Sequence, residues 1–356
     1  MVAIKFVSES FGAELNRDAV MTVGNRKRLK SPLKHFCALV IFLAAGVLAV
    51  TYLSNATSHP SVGAEQNVRS QRPAKQTAPY GKPVRLVNLE DSSVNESSGI
   101  VASRRNPNLF LTHNDSGGGV FLYAFDRAGH KRGVWKVANA EARDWEDIAA
   151  GPGPRKDQSY LYVGDIGDNL RRRETIIVYR FPEPVINSAA VSSTKKTPLV
   201  TETAEAIRLK YPDGKHDAEA LMVHPATGDL YVVTKSAGGG AGVYKVAAPL
   251  TTSKVTTLSR VAEIRLPSLF SGMVTGGDIS PDGLRVVLCD YLNAYEISLP
   301  TASKSGFDEV WKKSFSIIET GTRQQGEAVC YRLDGKAILL TSEKLPTPLI
   351  EITRNW

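Results

Sequence analysis

Acidic side chains recur at fixed positions of a five-residue pattern that occurs five times after residue 95. The copies occupy residues 96–100, 144–148, 217–221, 275–279 and 325–329 and align without gaps. The first positions are Glu96, Asp144, Asp217, Thr275 and Gln325, and the third positions are Ser98, Glu146, Glu219, Gly277 and Glu327. Residues two apart on a β-strand point to the same side, so each copy presents its first and third side chains together.

A second polar set follows the apolar run that comes after each copy. It includes His113, Asp115, Asp165, Thr234, Lys235, Asp290 and Glu343. The hairpin registers, counted to within one residue, place Asp165 across from Glu146 and Thr234 across from Glu219. Two carboxylates about 4 Å apart repel each other by about 4 kcal/mol at an effective dielectric constant near 20. Such a pair requires a proton, a cation or a basic partner.

The sequence therefore predicts a divalent-ion site centred on Glu146 and Asp165. The further predicted ligands are Glu219, Glu327, Asp144 and Asp290. Calcium is the expected ion, because it accepts six to eight oxygen ligands in flexible geometry. If the protein is an enzyme, Glu327 or His113 is the expected general base.

Two other interpretations of the acidic positions stay open. They could accept hydrogen bonds between neighbouring repeats, with Lys235 and Lys344 neutralising Glu219 and Glu327. They could also perform acid–base chemistry directly.

The repeats predict an all-β architecture. Each copy is followed by a turn containing Gly or Pro and then by a β-prone apolar run at 109–111, 160–163, 230–233, 285–288 or 337–340. The copies begin 48, 73, 58 and 50 residues apart, near or above the usual length of a propeller blade. We expect a β-propeller of five four-stranded blades, with a sixth, degenerate blade within residues 149–216 as the alternative.

The last repeat is too short for a complete blade. Residues 325–356 supply about three strands, whereas Pro83–Leu89 precedes the first repeat and has the apolar pattern of a strand. Adding this strand to the last blade would close the ring and remove an exposed sheet edge.

An uncharged apolar segment near the N-terminus predicts a membrane connection. Residues 36–53 would span about 27 Å as a helix, enough to cross a bilayer, and basic residues precede them. The division is a cytoplasmic segment (1–35), a signal anchor or signal peptide (36–53), a disordered linker (54–81) and the propeller (82–356). The positive-inside rule places the propeller outside the cytoplasm, and cleavage after Ala56 would make it a secreted protein.

The charge distribution argues against a nucleic-acid partner. The net charge is +8, but residues 1–35 carry +4 and residues 54–81 carry +2, which leaves about +2 for the propeller. GxSxG, HExxH, Walker A and CxxC motifs do not occur, so the standard nucleophilic and zinc chemistries are not expected.

Several motifs resemble those of exported bacterial β-propellers loosely called phytase-like or esterase-like. They are residues 96–99 with 113–117, and residues 144–149 with 164–169. The resemblance covers roughly residues 84–356 and implies an extracytoplasmic propeller, six-bladed or similar, with a hydrolytic or binding role. A looser similarity to gluconolactonase-type propellers rests on acidic and amide ligands at a channel mouth.

Two functions remain open on the sequence alone. The first is a ligand- or partner-binding propeller that uses the loops at its channel mouth, with or without a calcium site. The second is a metal-dependent hydrolase of a phosphoester, ester or lactone. The absence of a recognisable nucleophile favours binding, whereas the acidic pair favours a metal.

Overall fold

Five β-sheets, each containing four antiparallel strands, form a five-bladed β-propeller in a computed structural model that describes residues 79–269, 271–301 and 306–355. The pattern copies form the first strand of each blade, and the apolar runs form the second strands, as predicted. The first strand of each blade contacts the first strand of the next blade along the chain, and the first strand of the last blade contacts that of the first blade. The repeats therefore form a closed ring.

Each blade has four antiparallel strands. Blade 1 contains β2 (Ser97–Ala102), β3 (Leu109–Asn114), β4 (Phe121–Asp126) and β5 (Lys131–Ala138). Blade 2 contains β6 (Trp145–Pro152), β7 (Ser159–Asp165), β8 (Ile176–Pro182) and β10 (Glu205–Lys210). Blade 3 contains β11 (Ala218–Val223), β12 (Leu230–Thr234), β13 (Ala241–Val246) and β15 (Ser259–Ile264). Blade 4 contains β16 (Gly276–Ile279), β17 (Arg285–Cys289), β18 (Asn293–Ser298) and β19 (Ser316–Glu319). Blade 5 contains β20 (Gly326–Tyr331), β21 (Ala337–Ser342), β22 (Pro348–Thr353) and β1 (Val84–Asn88).

The long second repeat does not contain a sixth blade. Its extra residues form a short helix, α1 (Ser188–Ser192), and the strand β9 (Leu199–Thr203), which pairs in parallel with β5 of blade 1. A second short strand, β14 (Thr256–Thr257), pairs in parallel with β10 of blade 2. A 3-10 helix at Phe307–Lys312 lies between the third and fourth strands of blade 4.

The N-terminal strand completes the last blade, as the sequence predicted. β1 pairs antiparallel with β22, with Val84 opposite Glu351 and Asn88 opposite Pro348. Tyr80 also forms a bridge with Arg354. Blade 5 is thus assembled from both ends of the propeller sequence, which couples the first and last repeats.

Aspartates at the fourth position of the pattern join different blades, Asp147 from a buried position and Asp278 from a partly buried one. In blade 2, Asp147 accepts hydrogen bonds from the backbone N–H groups of Leu221 (2.9 Å) in blade 3 and Gly277 (3.3 Å) in blade 4. In blade 4, Asp278 accepts one from the N–H of Tyr331 (2.8 Å) in blade 5. Burial raises the pKa of Asp147 well above its usual range and that of Asp278 to about 7. Acidic residues therefore bridge the repeats at the fourth position of the pattern, and also at one first position, where Asp217 of blade 3 accepts a hydrogen bond from the N–H of Asp168 in blade 2 (2.7 Å).

A β-bulge shifts the expected register at the first strands. The partner of Asp165 is Trp145, and the partner of Thr234 is Ala218, one residue before the predicted Glu146 and Glu219. The third pattern position lies within a register shift in blades 1, 2, 3 and 5. Such a bulge places two residues opposite one and changes the direction of their side chains. Counting along a regular hairpin therefore assigns the cross-strand partner one residue too late.

The predicted membrane attachment lies outside the residues that the structure describes. These undescribed residues include the predicted span at 36–53 and residues 54–78 of the predicted linker at 54–81. Within residues 79–269, 271–301 and 306–355, no helix is long and apolar enough to cross a membrane.

Candidate functional site

One end of the ring collects the polar residues that the pattern places at strand ends. First strands begin there and second strands end there, because the two are antiparallel. We call this end the mouth. The N–H of Gly277 donates to the Asp147 carboxylate (3.3 Å), and this hydrogen bond joins the first strands of blades 2 and 4.

Three carboxylates lie together at the mouth, between blades 1 and 2. The ligand-type oxygens of Asp115, Asp144 and Glu146 are all within 4.8 Å of one another. Asp115 follows β3, whereas Asp144 and Glu146 flank the start of β6. Asp115 and Glu146 are buried and Asp144 is half-buried, so the low local dielectric strengthens any interaction with a cation. We call these three residues the acidic trio.

A glycine, Gly167, lies directly against the acidic trio. A Cβ atom added to Gly167 would lie 2.1 Å from Glu146 Oε1 and 2.6 Å from Asp144 Oδ2. The N–H of Gly167 also donates to the carbonyl of Asp144 (3.2 Å). Any larger residue at 167 would fill the space that the two carboxylates share.

Asp165, the predicted centre of the ion site, has a different role. Its carboxylate forms a buried ion pair with Arg173 Nη1 (2.7 Å) and accepts from the N–H groups of Arg143 (3.3 Å) and Asp144 (3.1 Å). Arg173 Nη1 also donates to the carbonyl of Gly167 (3.0 Å). The Asp165–Arg173 pair therefore holds the main chain on both sides of the trio, at Asp144 and at Gly167.

The predicted ligands from blades 3 and 5 have protein partners of their own. Lys235 Nζ forms an ion pair with Glu219 (2.5 Å) and donates to the hydroxyl of Tyr291 (2.7 Å). Burial alone would lower the pKa of Lys235, but the Glu219 carboxylate raises it well above its usual range, which keeps the ammonium charged. Glu327 accepts from Gln325 Nε2 (2.9 Å), and burial raises its pKa to about 8.

The side chains of Asp290 and His113 also form hydrogen bonds with other protein groups. Asp290 accepts from Ser268 Oγ (2.8 Å), Tyr295 Oη (2.7 Å) and two N–H groups of its own turn. His113 is fully buried, its Nδ1–H donates to the carbonyl of Asn114 (3.0 Å), and its ring meets Trp145 edge-on. Burial lowers the pKa of His113, which favours a neutral ring in the core.

The structure thus brings together two of the six predicted ion ligands, Asp144 and Glu146. Asp165, Glu219, Glu327 and Asp290 lie at the mouth with other partners. Sequence reasoning placed Asp115 in the second polar set but did not name it as a ligand, and it missed Gly167. The signal for Asp115 was its position at the end of β3, opposite the start of the first pattern copy.

Two comparisons of this sequence, with protein-family models and with curated proteins, find no match. The resemblance to exported phytase-like or esterase-like propellers therefore stays a prediction, whereas the five-bladed fold rests on the structure itself.

Proposed function

We propose that this protein is an extracytoplasmic binding propeller that holds a divalent cation at its mouth and recognises its ligand there. The observation that carries the proposal is the acidic trio, in which three carboxylates from two blades share one space. Carboxylates this close favour binding of a cation, because their mutual repulsion is relieved by positive charge.

The donor set fits calcium. All three side chains offer oxygen, which hard cations prefer, and thiol and imidazole groups are absent from the trio. Asp115, Asp144 and Glu146 would hold the ion, and main-chain carbonyls and water would supply the remaining ligands. Because residue 167 is a glycine, no Cβ atom occupies the space beside Glu146 and Asp144.

The test is a calcium titration of the purified propeller after treatment with a chelator. Calcium should raise the melting temperature of the wild type, because a ligand that binds only the native state stabilises it. Glu146→Gln should weaken calcium binding at least tenfold and reduce this rise. Glu319→Gln, at an exposed position of blade 4, should leave both unchanged. If calcium and magnesium leave the wild-type melting temperature unchanged and no metal copurifies, the trio is structural.

A metal-dependent hydrolase is the second candidate, and Glu327 favours it. A buried carboxyl group with a pKa of about 8 can give or take a proton near neutral pH, as general acid–base catalysis requires. A bound cation would supply polarisation of a substrate oxygen. Calcium-dependent turnover of phosphoester, ester or lactone probes that Glu327→Gln abolishes would favour this candidate over binding alone.

The proposed location rests on the N-terminal sequence. The uncharged residues 36–53 behind a basic flank support either a membrane-anchored propeller or one secreted after cleavage at Ala56. Protease added to intact cells should degrade an anchored propeller and spare residues 1–35. A propeller that is fully protected in intact cells, and also in spheroplasts, would contradict the proposed location.

A further inference from the structure

Short parallel strands cover the outer edges of blades 1 and 2. Each comes from the connection between the third and fourth strands of the following blade: β9 covers β5, and β14 covers β10. In both cases the pairing lies toward the C-terminal end of the covered strand, at Trp135–Ala138 and Leu209–Lys210. The chain thus uses the same device twice to protect a sheet edge.

The edge of blade 3 has the same setting, but among the described residues no strand covers it. β15 is the last strand of its sheet, and the corresponding connection of blade 4 runs through residues 299–315. In the described part of that connection, no strand pairs with β15; it contains the 3-10 helix instead. A groove of about 340 Å³ lies between the C-terminal end of β15 and residues 311–315. We call it the β15 groove.

The β15 groove has an apolar floor and a cationic rim. Ile264 and Trp311 line it and are only 4% and 6% exposed, and Phe315 is half-buried beside them. The buried Nε1–H of Trp311 has no acceptor among the described residues.

Two exposed basic residues, Arg265 and Lys313, also line the groove. Arg265 shares the single carboxylate of Glu263 with Arg260, so the charge around the groove is net positive. An acidic group would therefore be favoured at the rim, since opposite charges attract most strongly where solvent is partly excluded.

We propose that the β15 groove binds an extended, acidic peptide segment of a partner protein, which pairs in parallel with the edge of β15. Edge-strand N–H and C=O groups supply the main-chain bonds of such β-augmentation, and pockets for alternate side chains supply specificity. The segment would place an apolar side chain on Ile264 and Trp311 and a carboxylate near Arg265 and Lys313. β9 and β14 show, within this molecule, that equivalent edges accept a parallel strand.

The test uses random twelve-residue peptides displayed on phage, selected on the full-length protein in detergent with calcium absent. Selected peptides should share apolar and β-branched residues with at least one Asp or Glu. Binding of the synthetic peptide, measured by fluorescence anisotropy, should weaken at least tenfold in the double variant Arg265→Glu/Lys313→Glu. Replacing the peptide's acidic residue by Lys should restore binding to that variant. Trp311→Phe, which reduces the apolar ring area of the groove floor, should weaken binding about threefold to tenfold.

Controls separate this surface from the rest of the molecule. Lys336→Glu, an exposed charge reversal in the hairpin between β20 and β21, should bind like the wild type, and the charge-reversal variants should keep the wild-type melting temperature within about 2 °C. Bound peptide should slow amide hydrogen exchange in residues 259–265. The proposal is overturned if no peptide is selected, if the double variant binds equally well, or if protection appears at the mouth. Dimerisation of the wild type that the double variant abolishes would identify a second copy as the occupant and overturn it as well.

Discussion

Asp147 shows how one buried side chain can join three blades. Its two carboxylate oxygens accept hydrogen bonds from the N–H groups of Ile148 in its own blade, Leu221 in blade 3 and Gly277 in blade 4. Backbone N–H groups buried without a partner cost about 1–3 kcal/mol each, so an acceptor at this point is worth more than a surface ion pair. The raised pKa that burial gives this carboxyl is compatible with the role, because a neutral carboxyl group still accepts hydrogen bonds through its oxygens.

Asp147→Ala should lower the free energy of unfolding by about 3–5 kcal/mol, because it leaves the N–H groups of Leu221 and Gly277 without this acceptor. Urea denaturation followed by tryptophan fluorescence measures the effect. As a control, Glu174→Ala removes a surface ion pair with Lys215 in which Glu174 is 83% exposed, and it should change stability by less than about 1 kcal/mol. An Asp147→Ala protein as stable as the control would show that the bridge between blades contributes little.

At the scale of the element, the side chains at the mouth are positioned by the ends of strands and by a β-bulge. The bulge at the start of β6 separates the side chains of Trp145 and Glu146, and the loop after β7 brings Gly167 against the trio. The Asp165–Arg173 pair fixes that loop from within. A site built in this way depends on loop geometry as much as on the identity of the three carboxylates.

The strand β1 gives the test of ring closure. A protein that begins at Ser92 lacks β1 and leaves β22 as the edge of blade 5, whereas one that begins at Gly81 keeps the strand. We expect the shorter protein to melt at least about 5 °C lower and to aggregate more readily, because an exposed edge pairs with other chains. Equal melting temperatures for the two proteins would mean that β1 adds nothing to closure.

For the whole molecule, buried acids make stability depend on pH. Burial raises the pKa of Glu327 to about 8 and that of Asp278 to about 7, so the native state binds protons that the unfolded chain has lost. Stability therefore falls as pH rises through these values. His113 and His224, whose pKa values burial lowers, act in the opposite direction, but only below about pH 6.5, where the unfolded chain gains protons.

In a chelator, the wild-type melting temperature should decrease between pH 7 and pH 8.5. Glu327→Gln should flatten this decrease, because an amide keeps the acceptor for Gln325 without titrating. The exposed substitution Glu319→Gln should keep the wild-type slope. A Glu327→Gln protein with the same slope as the wild type would show that this carboxyl group does not control stability in that range.

The sequence by itself determined the propeller, because the pattern copies, the turns and the apolar runs are local signals that repeat with the blade. It also determined the closing strand, since an incomplete last repeat and an extra first strand can be matched by counting. It did not determine the site. Six carboxylates had similar positions in the pattern, and only the tertiary structure decided that Asp165 meets Arg173, that Glu219 meets Lys235 and that Asp115 joins Asp144 and Glu146. The reason is physical: a one-residue bulge and the path of a loop move a side chain by several ångströms, enough to exchange a metal ligand for an ion-pair partner.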